Sequence, residues 1–284
     1  MVRVQENRVQ KSDDKFCRDG RLFSGILFQL SESGIVQPRM VREGEVVGDY
    51  ESICAKQTVG IEQVDLTGQI EDYELQKFNG SLFSGIGYSF SSGFCVCEAL
   101  FDSGVSVAEA HWDLTGALTR FTRSNDGMAE SYKWFSNSKL ESATVTTTSE
   151  YSGTLVFAQN GALRRLLGRR GFFENIPMIA RSSKFFPVSS LEEILRLTCD
   201  KEVLLRGEEI DDKFVDLLLG SGTLLQVQRL AVAETKLSGF GLSQLCSLPD
   251  LKELNVIEKS DARRKALEAA IDNDAGKIVR ISRS

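Results

Sequence analysis

The sequence predicts a chain of mixed β and α/β class: an antiparallel sheet of stacked β-hairpins, followed by a short run of strand–helix units. Three observations carry that expectation. The stretch DGRLFSGI at 19–26 returns as NGSLFSGI at 79–86. From Phe90 onward, short extended runs bring an aromatic residue and then a turn residue at a steady interval. Beyond a boundary between residues 175 and 188 the hairpin pattern stops, and apolar pairs spaced for strands alternate with helical stretches.

Composition limits what such a chain can be. Its 284 residues, 42% hydrophobic and 26% charged, are enough for two ordinary cores and too apolar for a disordered chain. A net charge of -6 disfavours a broad electrostatic footprint for nucleic acid or anionic lipid, and suits a basic partner better. The opening MVRVQENRVQKSDDKF lacks the apolar run of a secretory signal, and no later stretch approaches a membrane span, so a cytoplasmic location is expected. Six cysteines (Cys17, Cys54, Cys95, Cys97, Cys199, Cys246) are scattered along a chain too large to need staples, and read as free thiols. Cys95 and Cys97 would share a strand face, but with a single histidine in the chain neither a zinc site nor another cofactor is expected.

The hairpins come first along the chain. Phe90, Trp112, Trp134 and, after a one-residue shift, Phe157 mark one aromatic position, while Gly93, Gly116, Ser138 and Gly161 mark the turn after it, one unit per 22 or 23 residues. A few extended residues, a turn that tolerates positive φ, and a returning run make a β-hairpin. A lone hairpin is marginal in water, so consecutive ones should stack, each covering its neighbour's aromatic ring. On this reading Gly20 and Gly80 turn the chain, Leu22, Phe23, Leu82 and Phe83 pack it, and IEQVDLTGQIEDYEL around Gly68 is a further rung between the two copies.

The DGRLFSG and NGSLFSG stretches, followed by repeated aromatic-x-x-x-G-x-L hairpins, resemble the MORN-variant repeat family, whose bacterial members are often called toxin–antitoxin antitoxin proteins. The likeness covers roughly residues 15 to 170. Ser138 departs from it by standing where a glycine is expected, and the denser glycines of the stricter eukaryotic-type MORN pattern are absent. The resemblance implies an interaction scaffold.

In the second part, Ser190 with Glu193 three residues later forms a capping box that opens a short helix. The pairs Val203/Leu205, Leu230/Val232 and Leu254/Val256 then mark three strands, with KIVRIS starting a fourth. Leu230 and Val232, followed by Leu237, Leu242, Leu245, Leu248 and Leu251, resemble a leucine-rich repeat, which implies a strand–helix solenoid with inward leucines. The expected organisation is a hairpin-repeat domain over 1–180 and a leucine-rich-repeat-like domain over 181–284.

Candidate chemistry is sparse. His111 beside Asp113 suggests a base and its orienter, but the two share a strand face and read better as a cross-strand surface pair. LLGSGTLL lacks the ending of a phosphate loop and reads as the loop closing a repeat helix. The acidic run GEEIDD at 207–212 reads as a solvated helix start. Arg164, Arg165, Arg169 and Arg170 form the one basic cluster, read as the charged edge of a last hairpin turning at Gly168.

No catalytic constellation assembles from these residues, so the expected role is non-enzymatic protein binding. Alternation on the predicted solenoid strands sends Arg229, Ala231, Glu253 and Asn255 outward together with Glu202, Leu204 and Arg206, and this mixed patch is the expected contact face. The family resemblance adds the idea of an antitoxin or immunity protein that sequesters a partner protein, a toxin or effector. A self-assembling scaffold, a nucleic-acid or membrane binder acting through the arginines, and an enzyme with an unrecognised site are the alternatives.

Overall fold

The computed structural model describes residues 1–55, 60–69, 75–125, 127–148, 151–270 and 277–283. It is mostly β, with long mixed sheet and few helices. The chain divides into two compact units, Met1–Asp126 and Gly127–Ser284. The expected change from hairpins to strand–helix units at 180/181 falls inside the second of them.

In the first unit the two LFSG stretches belong to a duplication with an offset of 60 residues, seen in Gly20 and Gly80, Phe23 and Phe83, Gly44 and Gly104. The first copy runs through β1 (Val2–Gln5), β2 (Gln10–Ser12), β3 (Lys15–Arg18), β4 (Arg21–Leu22), β5 (Gly25–Leu30), β6 (Val36–Arg42) and β7 (Glu45–Asp49). The second runs through β8 (Gln63–Asp65), β9 (Lys77–Phe78), β10 (Ser81–Leu82), β11 (Gly85–Ser91), β12 (Phe94–Asp102) and β13 (Val105–Trp112), with β14 (Leu118–Asn125) after it. In each copy a small hairpin straps the next turn. The amides of Phe16 and Gly44 bond to the carbonyls of Gly44 and Phe23, and those of Gln76 and Gly104 to Gly104 and Phe83, all at 2.8 Å.

The glycine that follows each LFS has a steric reason. A Cβ on Gly25 would strike the Val2 carbonyl and the Phe23 ring, and one on Gly85 the Glu62 carbonyl and the Phe83 ring. These carbonyls belong to β1 and to the residue just before β8, two strands that lie parallel to β5 and β11 with Val4 opposite Leu27 and Val64 opposite Gly87. The sheet is therefore mixed here, not purely antiparallel as expected. IEQVDL is the counterpart of the N-terminal strand rather than a hairpin rung, and residues 70–74 of that predicted rung lie outside the described residues. Phe23 and Phe83 are buried as expected, whereas Leu22 and Leu82, one residue earlier on the alternating strand, are about half exposed.

In the second unit β15 (Met128–Trp134), β16 (Leu140–Thr147), β17 (Ser152–Phe157) and β18 (Leu163–Arg169) form an antiparallel meander. The helices α1 (Phe172–Ser182) and α2 (Leu191–Ile194) follow. Then come β19 (Cys199–Arg206), α3 (Asp212–Ser221), β20 (Arg229–Ala233), α4 (Gly239–Cys246), β21 (Glu253–Ile257), α5 (Asp261–Ala270) and β22 (Ile278–Ser282). The strands β18 to β22 run parallel, each to the next.

A short periodicity runs through the hairpins of both units. Register shifts fall immediately before Phe90, Trp112, Trp134 and Phe157, so each aromatic follows a bulge that re-aims it. The turn residues Gly93, Gly116, Ser138 and Gly161 all adopt positive φ. Three of the aromatics are buried, and the partly exposed Trp134 packs edge-on against Phe185, ring centroids 5.3 Å apart.

The helices start and stop where side chains satisfy their ends. Ser190, Asp211 and Ser238 accept from backbone amides of the first turns of α2, α3 and α4, and Gly222 closes α3 in the left-handed region. The six strand anchors from Val203 to Val256, and the leucines from Leu237 to Leu251, are buried in one apolar core.

Candidate binding groove

On β19, β20 and β21 the inward anchors leave every second side chain on the other face. Strand pairing puts these in rows across the sheet. One row is Glu202, Arg229, Glu253; the next is Arg165, Leu204, Ala231, Asn255, Arg280. All of these but Arg280 line an open groove of about 560 Å³, which takes in Glu202, Leu204, Arg229, Ala231, Glu253 and Asn255, and beside them Val156, Arg164 and Arg165.

The charged row is largely self-neutralised. Arg229 Nη2 lies 2.6 Å from Glu202 Oε1, and Arg280 Nε lies 3.5 Å from Glu253 Oε1, toward which Asn255 Nδ2 also donates at 3.4 Å. At the groove wall Arg164 Nε pairs with Asp200 at 2.8 Å. The floor between these charges is small and uncharged, Leu204 and Ala231 being only partly exposed.

Arg206, the seventh residue expected on this face, is engaged beyond the groove. Its guanidinium grips the Glu234 carboxylate through Nε at 3.1 Å and Nη2 at 2.9 Å. Lys259 Nζ donates to the same carboxylate at 2.6 Å, and Arg169 donates to it as well. Hydrogen bonds from Arg206 and then Lys259 hold the Glu234 carboxyl down at about 2. One acid thus ties together the ends of three segments.

The basic stretch is not a terminal edge. β18 bonds to β17 on one side and to β19 on the other, and Gly168 sits inside the strand, where its missing Cβ makes room for the Phe173 ring. Its arginines are also divided: Arg164 and Arg169 are paired, Arg170 holds a positive-φ turn, and Arg165 alone of the groove cations has no carboxylate partner among the described residues.

The other sequence candidates take structural parts. Asp113 Oδ1 accepts from Thr115 Oγ1 at 2.6 Å and from the amides of Thr115 and Ala117, so its carboxyl, held low mainly by Thr115, shapes a turn. His111 Nε2 approaches Glu109 Oε2 at 3.4 Å on the same strand face. Asp211 caps α3, and Asp212 accepts from the Ser238 amide and hydroxyl. All six cysteines are free, burial raises the Cys95 and Cys199 thiols to about 12, and among the described residues no group of three or more His, Cys, Asp or Glu could hold a metal ion.

One buried polar group was invisible in the sequence. In the first unit Arg3, 4% exposed, lies 2.7 Å from the fully buried Glu98 carboxylate and donates to the Tyr50 hydroxyl at 2.9 Å. Ser52 donates to the other Glu98 oxygen, Tyr50 to the first at 3.2 Å, and the guanidinium stacks 3.6 Å above the Trp112 ring. Burial and then the Glu98 charge push the Tyr50 hydroxyl up. This constellation joins the two copies of the duplication, Arg3 coming from the first and Glu98 from the second.

No family model matches the chain, and no curated protein matches it. Among solved structures it is similar to a chain of the GtfA/B complex bound to UDP and GlcNAc, at 12% identity and a TM-score of 0.22, over 83% of this chain and 50% of that one. It is also similar to a chain of the Glycosylation Associate Protein (Gap123) complex from Streptococcus agalactiae, at 11% identity and 0.24, over 97% and 43%. The chain thus spans about half the length of these proteins or less. No helix among the described residues is long and apolar enough to cross a membrane.

Proposed function

We propose that the chain is a non-enzymatic protein-binding repeat protein, built from a MORN-like hairpin ladder and a short leucine-rich-repeat-like solenoid, that sequesters a partner protein in the cytoplasm as an antitoxin or immunity protein does. The observation that carries the binding part is the groove itself. Six of its lining side chains, from Glu202 to Asn255, combine small, apolar and charged groups on a face whose alternate residues sit in an apolar core, the mixture found in protein interfaces. The sequestering role rests on the LFSG resemblance.

The test is affinity capture from the native host with the tagged protein and with the Arg229→Glu/Asn255→Arg variant. The expected result is one stoichiometric protein partner, retained by the parent and lost by a variant whose thermal unfolding is unchanged. Recovery of no partner by either form overturns the reading.

A further inference from the structure

We propose that, although the net charge of -6 disfavours anionic partners for the chain as a whole, the groove takes an extended segment of a partner protein anchored by a single carboxylate on Arg165. This rests on the protein-binding reading of the same face and adds the chemistry of what occupies it. The pairing of the charges on the groove singles out that anchor. Of the four arginines on the groove or at its ends, Arg164, Arg229 and Arg280 each have a carboxylate within 3.5 Å, from Asp200, Glu202 and Glu253 respectively. Arg165 is exposed and has none among the described residues.

The position of Arg165 is set by the fold. A register irregularity between Leu163 and Arg165, where antiparallel β17 and parallel β19 flank the same strand, brings both Arg164 and Arg165 onto the groove. Arg165 then heads the uncharged row Leu204, Ala231, Asn255. From Arg165 to Arg280 is four strand spacings of ~4.8 Å, or about 19 Å, which an extended segment of about six residues spans at ~3.3 Å each. Such a segment would set an Asp or Glu on the guanidinium, where bidentate pairing gives direction as well as energy, and small or apolar side chains on Leu204 and Ala231. Asn255 offers an amide farther along the row.

The experiment is selection of a phage-displayed random dodecamer library on the full-length protein, with parallel selections on Arg165→Glu and on Arg229→Glu/Asn255→Arg. The expected outcome is a consensus with an acid at one fixed position followed by small or apolar residues. A synthetic consensus peptide should lose roughly tenfold in affinity on Arg165→Glu, the scale of a charge-assisted pair, and its acid-to-Lys counterpart should regain affinity on that variant. A consensus without an acid, no consensus at all, or tighter binding of a fluorescein-labelled oligouridylate than of the peptide overturns the proposal. If the peptide is lost on Arg229→Glu/Asn255→Arg but is indifferent to Arg165→Glu, the acidic anchor falls and the groove stands. If it is indifferent to both, the groove reading falls with it.

Discussion

The first unit buries an ion pair at its centre, whereas the ion pairs described within the second lie outside its apolar core. In the first, an arginine and a glutamate are buried together between the copies of a duplication, roofed by Trp112 and tied to Tyr50 and Ser52. In the second, the core from Val145 to Leu267 is apolar, and the ion pairs of Arg164, Arg229, Glu234 and Arg280 lie at the surface or strand ends. A buried pair specifies which elements must meet, because either partner left alone is very costly, whereas exposed pairs contribute little and can vary. The buried pair ties the two copies of the first unit together, and the exposed pairs of the second lie on its outer face.

The largest expected effect breaks that contrast at its centre. Arg3→Met strands the Glu98 carboxylate in the core and should cost about 3–5 kcal/mol. Removing both charges, as Arg3→Met/Glu98→Leu, should restore much of the loss. Urea denaturation followed by Trp112 fluorescence in a Trp134→Phe background reads it. A loss below ~1 kcal/mol for the single change would mean that the pair is solvated and that the contrast is wrong.

Next in size is a test of the duplication itself. Gly25→Ala and Gly85→Ala each drive a methyl into a carbonyl of the adjoining parallel strand and into the preceding phenylalanine ring. Each should destabilise by about 1–3 kcal/mol, as overpacking does. Because the surroundings repeat, the two losses should match. A large loss at one site with none at the other would show that the copies do not share one packing.

On the second unit, Glu234→Gln should cost about 1 kcal/mol, the scale of a networked surface pair. Its pH dependence has a definite sign. A carboxyl held down at about 2 in the folded state stabilises fully above its ordinary value of about 4.3, and that contribution disappears as pH falls from there through about 2. The acid limb of the unfolding curve should therefore flatten in Glu234→Gln. An unchanged limb would remove Glu234 from the account.

These contrasts also mark how far the sequence could be read. The strand anchors and the capping box were legible because burial and capping are written in local spacing: Leu230 and Val232 must point one way, and Ser190 can reach only its own helix. The 22-residue hairpins were legible for the same reason. What stayed hidden depends on distant partners. Nothing near Arg3 announces Glu98, and IEQVDL reads as a hairpin arm until Val64 is seen beside Gly87, the place that Val4 takes beside Leu27. Of the seven residues that alternation sends outward, six line the groove, while Arg206 is drawn to Glu234, which sits in a positive-φ turn.

The smallest effect asks whether the hairpin periodicity is a structural rule shared by both units. Gly93 and Gly116 in the first and Gly161 in the second hold positive φ at the turn position, and Ser138 holds φ 62° at the same place with a side chain. A non-glycine residue there strains its Cβ against the neighbouring carbonyl, a cost of about 1–2 kcal/mol, which glycine's greater freedom in the unfolded chain offsets in part. Ser138→Gly should therefore stabilise by about 0.5–1 kcal/mol, measured as a higher urea midpoint at constant slope. Destabilisation would mean that the serine hydroxyl contributes something glycine cannot, and the turn at Ser138 would then be a departure from the repeat rather than an imperfect copy of it.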